Sequence, residues 1–295
     1  FESPLEAEAE LLFNVVDEAT GAPVEAEIFI GHYEARSTPV ADTIAATSLG
    51  PTAAILPGIT QDFLVRADGY GHVRFPYQAQ RAFNHSRTLT VRVPKNLASV
   101  HNGATATGSG VNLEALIDDT EATNWADLTA PAAGDQVTVD LSGGVQRITR
   151  INVSALLRPE DANDADSGGQ NRFTALRQFE IRTCVTGASL LNPTCSGLLP
   201  TGFTTIYTSP ADAFPADAPR PLAPDMILRE FDVPDTDATH VQLRVLHNQC
   251  TGTPAYQGEQ DADPLNVTDC SIASSNADLV RAAELQVFSA DPSTP

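Results

Sequence analysis

Asp135-Gln-Val-Thr-Val-Asp-Leu-Ser-Gly143 carries an apolar residue at every second position, Val137, Val139 and Leu141, and closes on a turn signal. A period of two is the mark of a strand with one buried face, and it sets Asp140 on the polar side. Working outward, the same alternation returns at Ile151 and Val153, at Val241, Leu243 and Val245, and upstream in Leu89-Thr-Val-Arg-Val93. Turn-forming residues separate these runs, and no long stretch has helical periodicity. The acidic opening, Glu2 to Leu12, reads as a frayed helix or a linker. The fold class expected is all-β.

Around Pro94 to Gly110 the strand pattern gives way to Asn, Ala, Gly, Thr and Ser, which places a domain boundary there. The expected organisation is a linker at 1–10, a first module at 11–95, a larger one at 96–289 and a tail at 290–295. Acidic residues number 38 against 17 basic, a net charge of -21, with Lys95 the only lysine. That balance repels nucleic acid and anionic membrane surfaces and favours cation binding. No apolar run approaches the roughly 18 residues a membrane helix needs, so membrane insertion is not expected. The chain starts at Phe1 without a methionine or a basic-then-apolar leader and reads as a processed piece of something longer.

In the first module, Leu12-Phe-Asn-Val-Val-Asp-Glu-Ala-Thr-Gly-Ala-Pro-Val24 reads as strand, turn and strand, with Pro23 at a strand start. Leu56-Pro-Gly-Ile-Thr60 then leads into Asp62-Phe-Leu-Val-Arg-Ala-Asp-Gly-Tyr-Gly71. This order resembles the carboxypeptidase-regulatory-like, transthyretin-like sandwich. The resemblance implies a small spacer or adhesive sandwich of about seven strands, although Gly31 to Leu49 lacks the family's regular strand.

In the second module, Ala115-Leu-Ile-Asp-Asp-Thr-Glu-Ala-Thr-Asn-Trp-Ala126 precedes the 135–143 strand, Ile148-Thr-Arg-Ile-Asn-Val153 follows it, and Ala283-Glu-Leu-Gln-Val-Phe288 closes the module. In that order these motifs resemble the discoidin, galactose-binding-like domains, with Asp119 in place of the usual glycine and Ser142 before Gly143. The implied fold is a jelly-roll β-sandwich. The resemblance also implies a structural calcium ion, held by the carbonyls of Ala115, Thr120 and Thr123, the Thr123 hydroxyl, and the carboxylates of Asp118 and Glu284. Such a set suits calcium, which takes roughly six to eight oxygens at about 2.4 Å. Trp125, the single tryptophan, is expected to pack beneath this loop rather than to present a sugar platform.

A second acidic loop places Asp161, Asn163, Asp164 and Asp166 ahead of two glycines; it lacks the full EF-hand pattern and reads first as a solvated acidic loop, with a further metal or ligand site as the alternative. Cys184, Cys195, Cys250 and Cys270 lack CxxC spacing and allow three pairings; the local one, Cys184 with Cys195 and Cys250 with Cys270, closes two loops within one domain. Disulfides imply an extracellular, secreted protein.

No H-E-x-x-H and no G-x-S-x-G occurs, so this chain is not expected to be a catalyst. The stretches Asn171 to Ile181, Tyr207 to Pro215 and Leu246 to Pro264 further resemble the C-terminal region of secreted actinobacterial fungalysin-type zinc metallopeptidases, a resemblance that covers nearly all of residues 10 to 288. That resemblance implies an accessory piece that tethers an upstream peptidase domain to glycan, protein substrate or cell surface. The rival expectation is an extracellular structural protein that self-assembles into a surface layer or fibre.

Overall fold

Residues 9–31, 41–43, 53–55, 58–78, 86–129, 131–158, 165–166, 172–187, 194–195, 201–214, 223–251, 270 and 275–289 are described by the structure, a computed structural model. The chain divides into two compact units between Lys95 and Asn96. Among the described residues no helix is long and apolar enough to cross a membrane.

Leu11, Phe13 and Val15 alternate along the first strand, β1 (Ala9–Asp17), and all three are buried. The strands that follow are β2 (Ala26–Ile30), β3 (Ala41–Thr43), β4 (Ala53–Ile55), β5 (Thr60–Arg66), β6 (Val73–Gln78) and β7 (Ser86–Val93). They form two sheets, β4-β1-β7 and β3-β2-β5-β6. Strands β1 and β7 run parallel in a continuous register from Glu10–Ser86 to Asp17–Val93. The period-two reading of 89–93 holds, with Val91 and Val93 buried and Thr90 and Arg92 exposed. Phe13 from one sheet meets Phe63 from the other at 5.5 Å between ring centroids. The turn after β1 forms because Asp17 Oδ1 accepts from the Thr20 amide at 2.7 Å and its hydroxyl at 2.9 Å. Gly21, at φ 70, supplies the left-handed residue. Strand β3 lies within the stretch that the sequence leaves without a regular strand.

The second unit contains β8 (Thr105–Gly108), β9 (Trp125–Asp127), β10 (Gln136–Asp140), β11 (Gln146–Ser154), β12 (Leu176–Cys184), β13 (Thr204–Thr208), β14 (Arg229–Ala238), β15 (His240–Asn248), β16 (Val280–Ala282) and β17 (Glu284–Ser289). A five-stranded antiparallel sheet, β13-β12-β15-β10-β8, and a three-stranded one, β14-β11-β17, supply the main layers, and β16-β9 forms a short separate ladder. Val137, Val139, Val241, Leu243 and Val245 from the larger sheet share one core with Ile148, Ile151, Val153, Leu285 and Val287 from the smaller. This is the all-β class that the alternation predicts, in the jelly-roll sandwich form that the resemblance implies. Phe179 and Phe231 meet edge to face at 5.1 Å and close the flank between the sheets.

Candidate functional site

The 115–123 loop hangs from two fully buried side chains, Leu116 and Ile117, at the end of a short turn of 3-10 helix, Leu113–Leu116. That turn packs against β17, the strand that begins with Glu284. Within the loop the Thr123 hydroxyl donates to Asp118 Oδ2 at 2.7 Å, and the Ala122 amide donates to Thr120 Oγ1 at 3.0 Å. The β9–β16 ladder pairs Asp127 with Val280 and Trp125 with Ala282. The ladder stops at Trp125, two residues after Thr123, and Glu284 opens β17, where it pairs with Ser154 of β11. Glu284 is fully buried. Ala115, Asp118, Thr120 and Thr123 thus share one loop, and the turn that leads into it packs against the strand that opens with Glu284.

Asp119 stands in the left-handed region at φ 60, a conformation that glycine adopts freely. Aspartate tolerates it, and here its buried carboxylate makes contacts that glycine has no atoms for: it accepts from Asn96 Nδ2 at 2.8 Å and from the Ser99 hydroxyl. Asn96 Oδ1 in turn accepts from the Val287 amide at 3.0 Å. The loop, the first residues of the unit and the last strand are therefore tied in one chain of hydrogen bonds. Glu121, which lies within the 115–126 motif but is not among its expected ligands, is also fully buried; its Oε1 accepts from the Ser154 hydroxyl at 2.6 Å and from the Leu228 amide at 2.7 Å. Nothing in a lone loop glutamate signals this role, because both donors are distant in sequence.

Trp125 is fully buried in the shared core and donates from Nε1 to the Ser109 carbonyl at 2.9 Å. It packs under the loop and offers no platform to a ligand.

Of the second acidic loop, Asp161, Asn163 and Asp164 lie outside the described residues. Asp166 is fully buried and faces Arg281, whose Nε and NH2 reach its two oxygens at 2.7 and 2.6 Å. That fork-to-fork geometry makes Asp166 an ion-pair partner. Arg281 also donates to Thr174 Oγ1 at 2.6 Å, and Arg158 NH2 donates to the Asp166 carbonyl at 3.2 Å.

A second buried arginine, on β12, anchors backbone in a similar way. Arg177 donates to the Asn248 carbonyl and to the Ala211 carbonyl, each at 3.0 Å, while Gln249 Nε2 donates to the Phe214 carbonyl at 3.3 Å. Ala175 bridges to Arg281, and its carbonyl accepts from the Gln249 amide at 3.0 Å. The bases of three loops, those leading from Arg158, from Ser209 and from Cys250, therefore meet on one polar frame at one end of the sandwich. The cysteines are joined locally, Cys184 to Cys195 and Cys250 to Cys270, so the second bridge staples one of these loops. Near the frame His247 is held below the usual imidazole range by burial and then by the Arg177 charge, so it is neutral at pH 7.

Thr239, His240 and Asp140 form a hydroxyl-imidazole-carboxylate series, with Thr239 Oγ1 2.9 Å from His240 Nδ1 and His240 Nε2 3.6 Å from Asp140. The hydroxyl is buried and also bonds the Cys184 carbonyl at 3.2 Å and the Thr186 amide at 2.9 Å. It serves the backbone beside the disulfide rather than a substrate. Among the described residues no three His, Cys, Asp or Glu side chains gather as a metal cluster. The 115–123 set differs in kind, with two carboxylates and the rest carbonyl and hydroxyl oxygen.

No protein-family model matches the chain, and no curated protein does. Solved structures do. A Clostridium perfringens module, CpGH89CBM32-5, in complex with GalNAc-beta-1,3-galactose, is 19% identical over 66% of this chain and 100% of that one, with a TM-score of 0.36. The family 32 carbohydrate-binding module of C. perfringens NanJ, in complex with galactose, is 14% identical over 63% and 93%, with a TM-score of 0.35. Chitosan-binding module 2 of a chitosanase/glucanase from Paenibacillus sp. IK-5, in complex with chitotriose, is 16% identical over 65% and 99%, with a TM-score of 0.36.

Proposed function

We propose that this chain is the non-catalytic accessory region of a secreted zinc metallopeptidase, in which a calcium-stabilised jelly-roll unit binds a glycan-bearing substrate or surface and the first unit is a spacer. The observation that carries the binding role is the buried Arg177–Arg281 frame beneath three loops. Two buried guanidinium groups are costly unless fully engaged, and here they fix loop bases in place, which is the preorganisation a recognition surface needs. The two disulfides support an oxidising, extracellular setting.

Calcium as a structural cofactor is supported by the packing of the Leu113–Leu116 turn against β17, the strand that opens with Glu284, and by the burial of that carboxylate. Ala115, Asp118, Thr120, Thr123 and Glu284 would hold the ion, and its role would be to clip the loop to the final strand. The spacer role is supported by the β architecture of the first unit, whose described strands form a three-stranded and a four-stranded sheet. The peptidase parent rests on the sequence resemblance, and an H-E-x-x-H in the coding sequence upstream of Phe1 would establish it.

Binding of the whole chain to an array of glycans and insoluble matrix polymers tests the reading. Saturable retention on a glycan class supports it, and uniform absence of signal contradicts it.

A further inference from the structure

Asp127 and Asp135 belong to neither acidic loop, yet the fold turns both toward the same place. On β9, Asp127 lies on the side of Trp125, whose indole is in the core, because side chains two apart in a strand share a face. Asp135 immediately precedes β10 and has the parity of the core residues Val137 and Val139. Its carbonyl accepts from the Val245 amide at 2.8 Å, which fixes it to the neighbouring strand three residues short of Asn248, within the loop-bearing end. The nine-residue stretch from Asp127 to Asp135 thus begins and ends on inward-facing carboxylates.

Each has one oxygen to spare. Asp127 is 1% exposed; its Oδ1 accepts from the Thr129 amide and hydroxyl at 3.0 and 2.6 Å, while its Oδ2 is buried and accepts no hydrogen bond. The buried Oδ2 of Asp135 likewise accepts none. The basic residues on the partner strands are committed elsewhere, Arg281 to Asp166 and Arg244 to Glu180 at 3.2 Å. Burial, and then the charge of Asp127, pushes the Asp135 carboxyl up to about 7. Two such groups need a counter-charge between them or must share a proton.

We propose that Asp127 and Asp135 bind a divalent cation, calcium by the chemistry of its oxygen donors, at the loop-bearing end of the jelly-roll unit. Asp135 is half-buried and gives the ion an entry, and water completes the shell. With two carboxylates the affinity falls in the weak range of extracellular modules, a Kd of roughly 10⁻⁴ to 10⁻³ M. The site is separate from the 115–123 loop, because Asp127 lies four residues, roughly 13 Å of extended chain, beyond Thr123. It does not depend on the accessory role proposed for the chain.

Calorimetric titration of calcium chloride into the chelator-stripped full chain at pH 7.5 tests it. The Glu284→Gln variant, which disables the loop site, should keep one weak binding event, and adding Asp135→Asn should weaken that event at least tenfold. Asp127→Asn, which retains Oδ1 for Thr129, should act alike. A folded Glu284→Gln protein that binds no calcium, or binding that Asp135→Asn leaves unchanged, overturns the proposal in favour of a shared proton. Should Glu284→Gln fail to fold, Asp135→Asn alone must lower the calcium stoichiometry of the otherwise unaltered chain by one, and an unchanged stoichiometry overturns the proposal.

Discussion

Asn96 Nδ2 donates to Asp119 Oδ1 at 2.8 Å across 23 residues of sequence, joining the entry of the jelly-roll unit to the loop that precedes its tryptophan. Asp119→Gly relieves the left-handed backbone, worth about 1 kcal/mol. It also strands two buried donors at about 1–3 kcal/mol each. The expected outcome is net destabilisation in urea, with Asp119→Asn, which keeps an acceptor and tolerates φ 60, losing less. A more stable Asp119→Gly protein would show that the latch is unimportant.

Asp166 and Arg281 are each almost wholly out of water. Asp166→Ala leaves the guanidinium buried without its carboxylate, and a loss of about 3–5 kcal/mol is expected. Replacing both by apolar residues of similar volume should recover part of it. Urea midpoints of the single and double variants measure the difference.

A Cβ at Gly110 would stand 2.2 Å from the Ala126 carbonyl oxygen and 2.7 Å from Trp125 Nε1, at φ 90. Backbone and indole must both shift, so Gly110→Ala should cost more than about 2 kcal/mol. A red shift of the single tryptophan's emission is the readout, reporting water at a side chain that is otherwise fully buried.

The Cys250–Cys270 bridge spans 20 residues, and removing it by paired serine substitution should cost about 3 kcal/mol through the freed loop. Because Gln249 lies beside it and holds Phe214, glycan retention should fall as well.

In chelator, Asp135 gives stability a pH dependence of definite sign. Its carboxyl is raised from 3.8 to about 7, so the folded protein binds more protons than the unfolded chain between those values. Its contribution is full below pH 3.8 and is lost as pH rises through 7. The histidines His240 and His247, lowered chiefly by burial, act oppositely below pH 6.5. The difference between wild type and Asp135→Asn isolates the carboxyl: the wild-type advantage should shrink from pH 5 to pH 8 without calcium.

The layers were legible because burial writes a period of two into each strand, as at 89–93 and 137–141. The 115–123 loop was legible as an ordered motif, although the residue departing from it, Asp119, reads in sequence only as an irregularity. Its meaning depends on Asn96 and Ser99, which no local pattern links to it. Asp166 looked like a loop ligand because it stands among acids, whereas its partner is Arg281, 115 positions away. Asp127 and Asp135 were hidden for the same reason: in a chain with 38 acidic residues, pairing through space leaves no trace along the sequence.

Thermal unfolding with chelator, with calcium restored, and in Glu284→Gln tests the central claim most directly. A calcium-clipped jelly roll predicts a melting temperature that falls on chelation, recovers when calcium is added to about 100 times its Kd, a gain of about 2.7 kcal/mol, and loses most of that response in Glu284→Gln. A melt unchanged by chelator and calcium in the wild-type chain would contradict it.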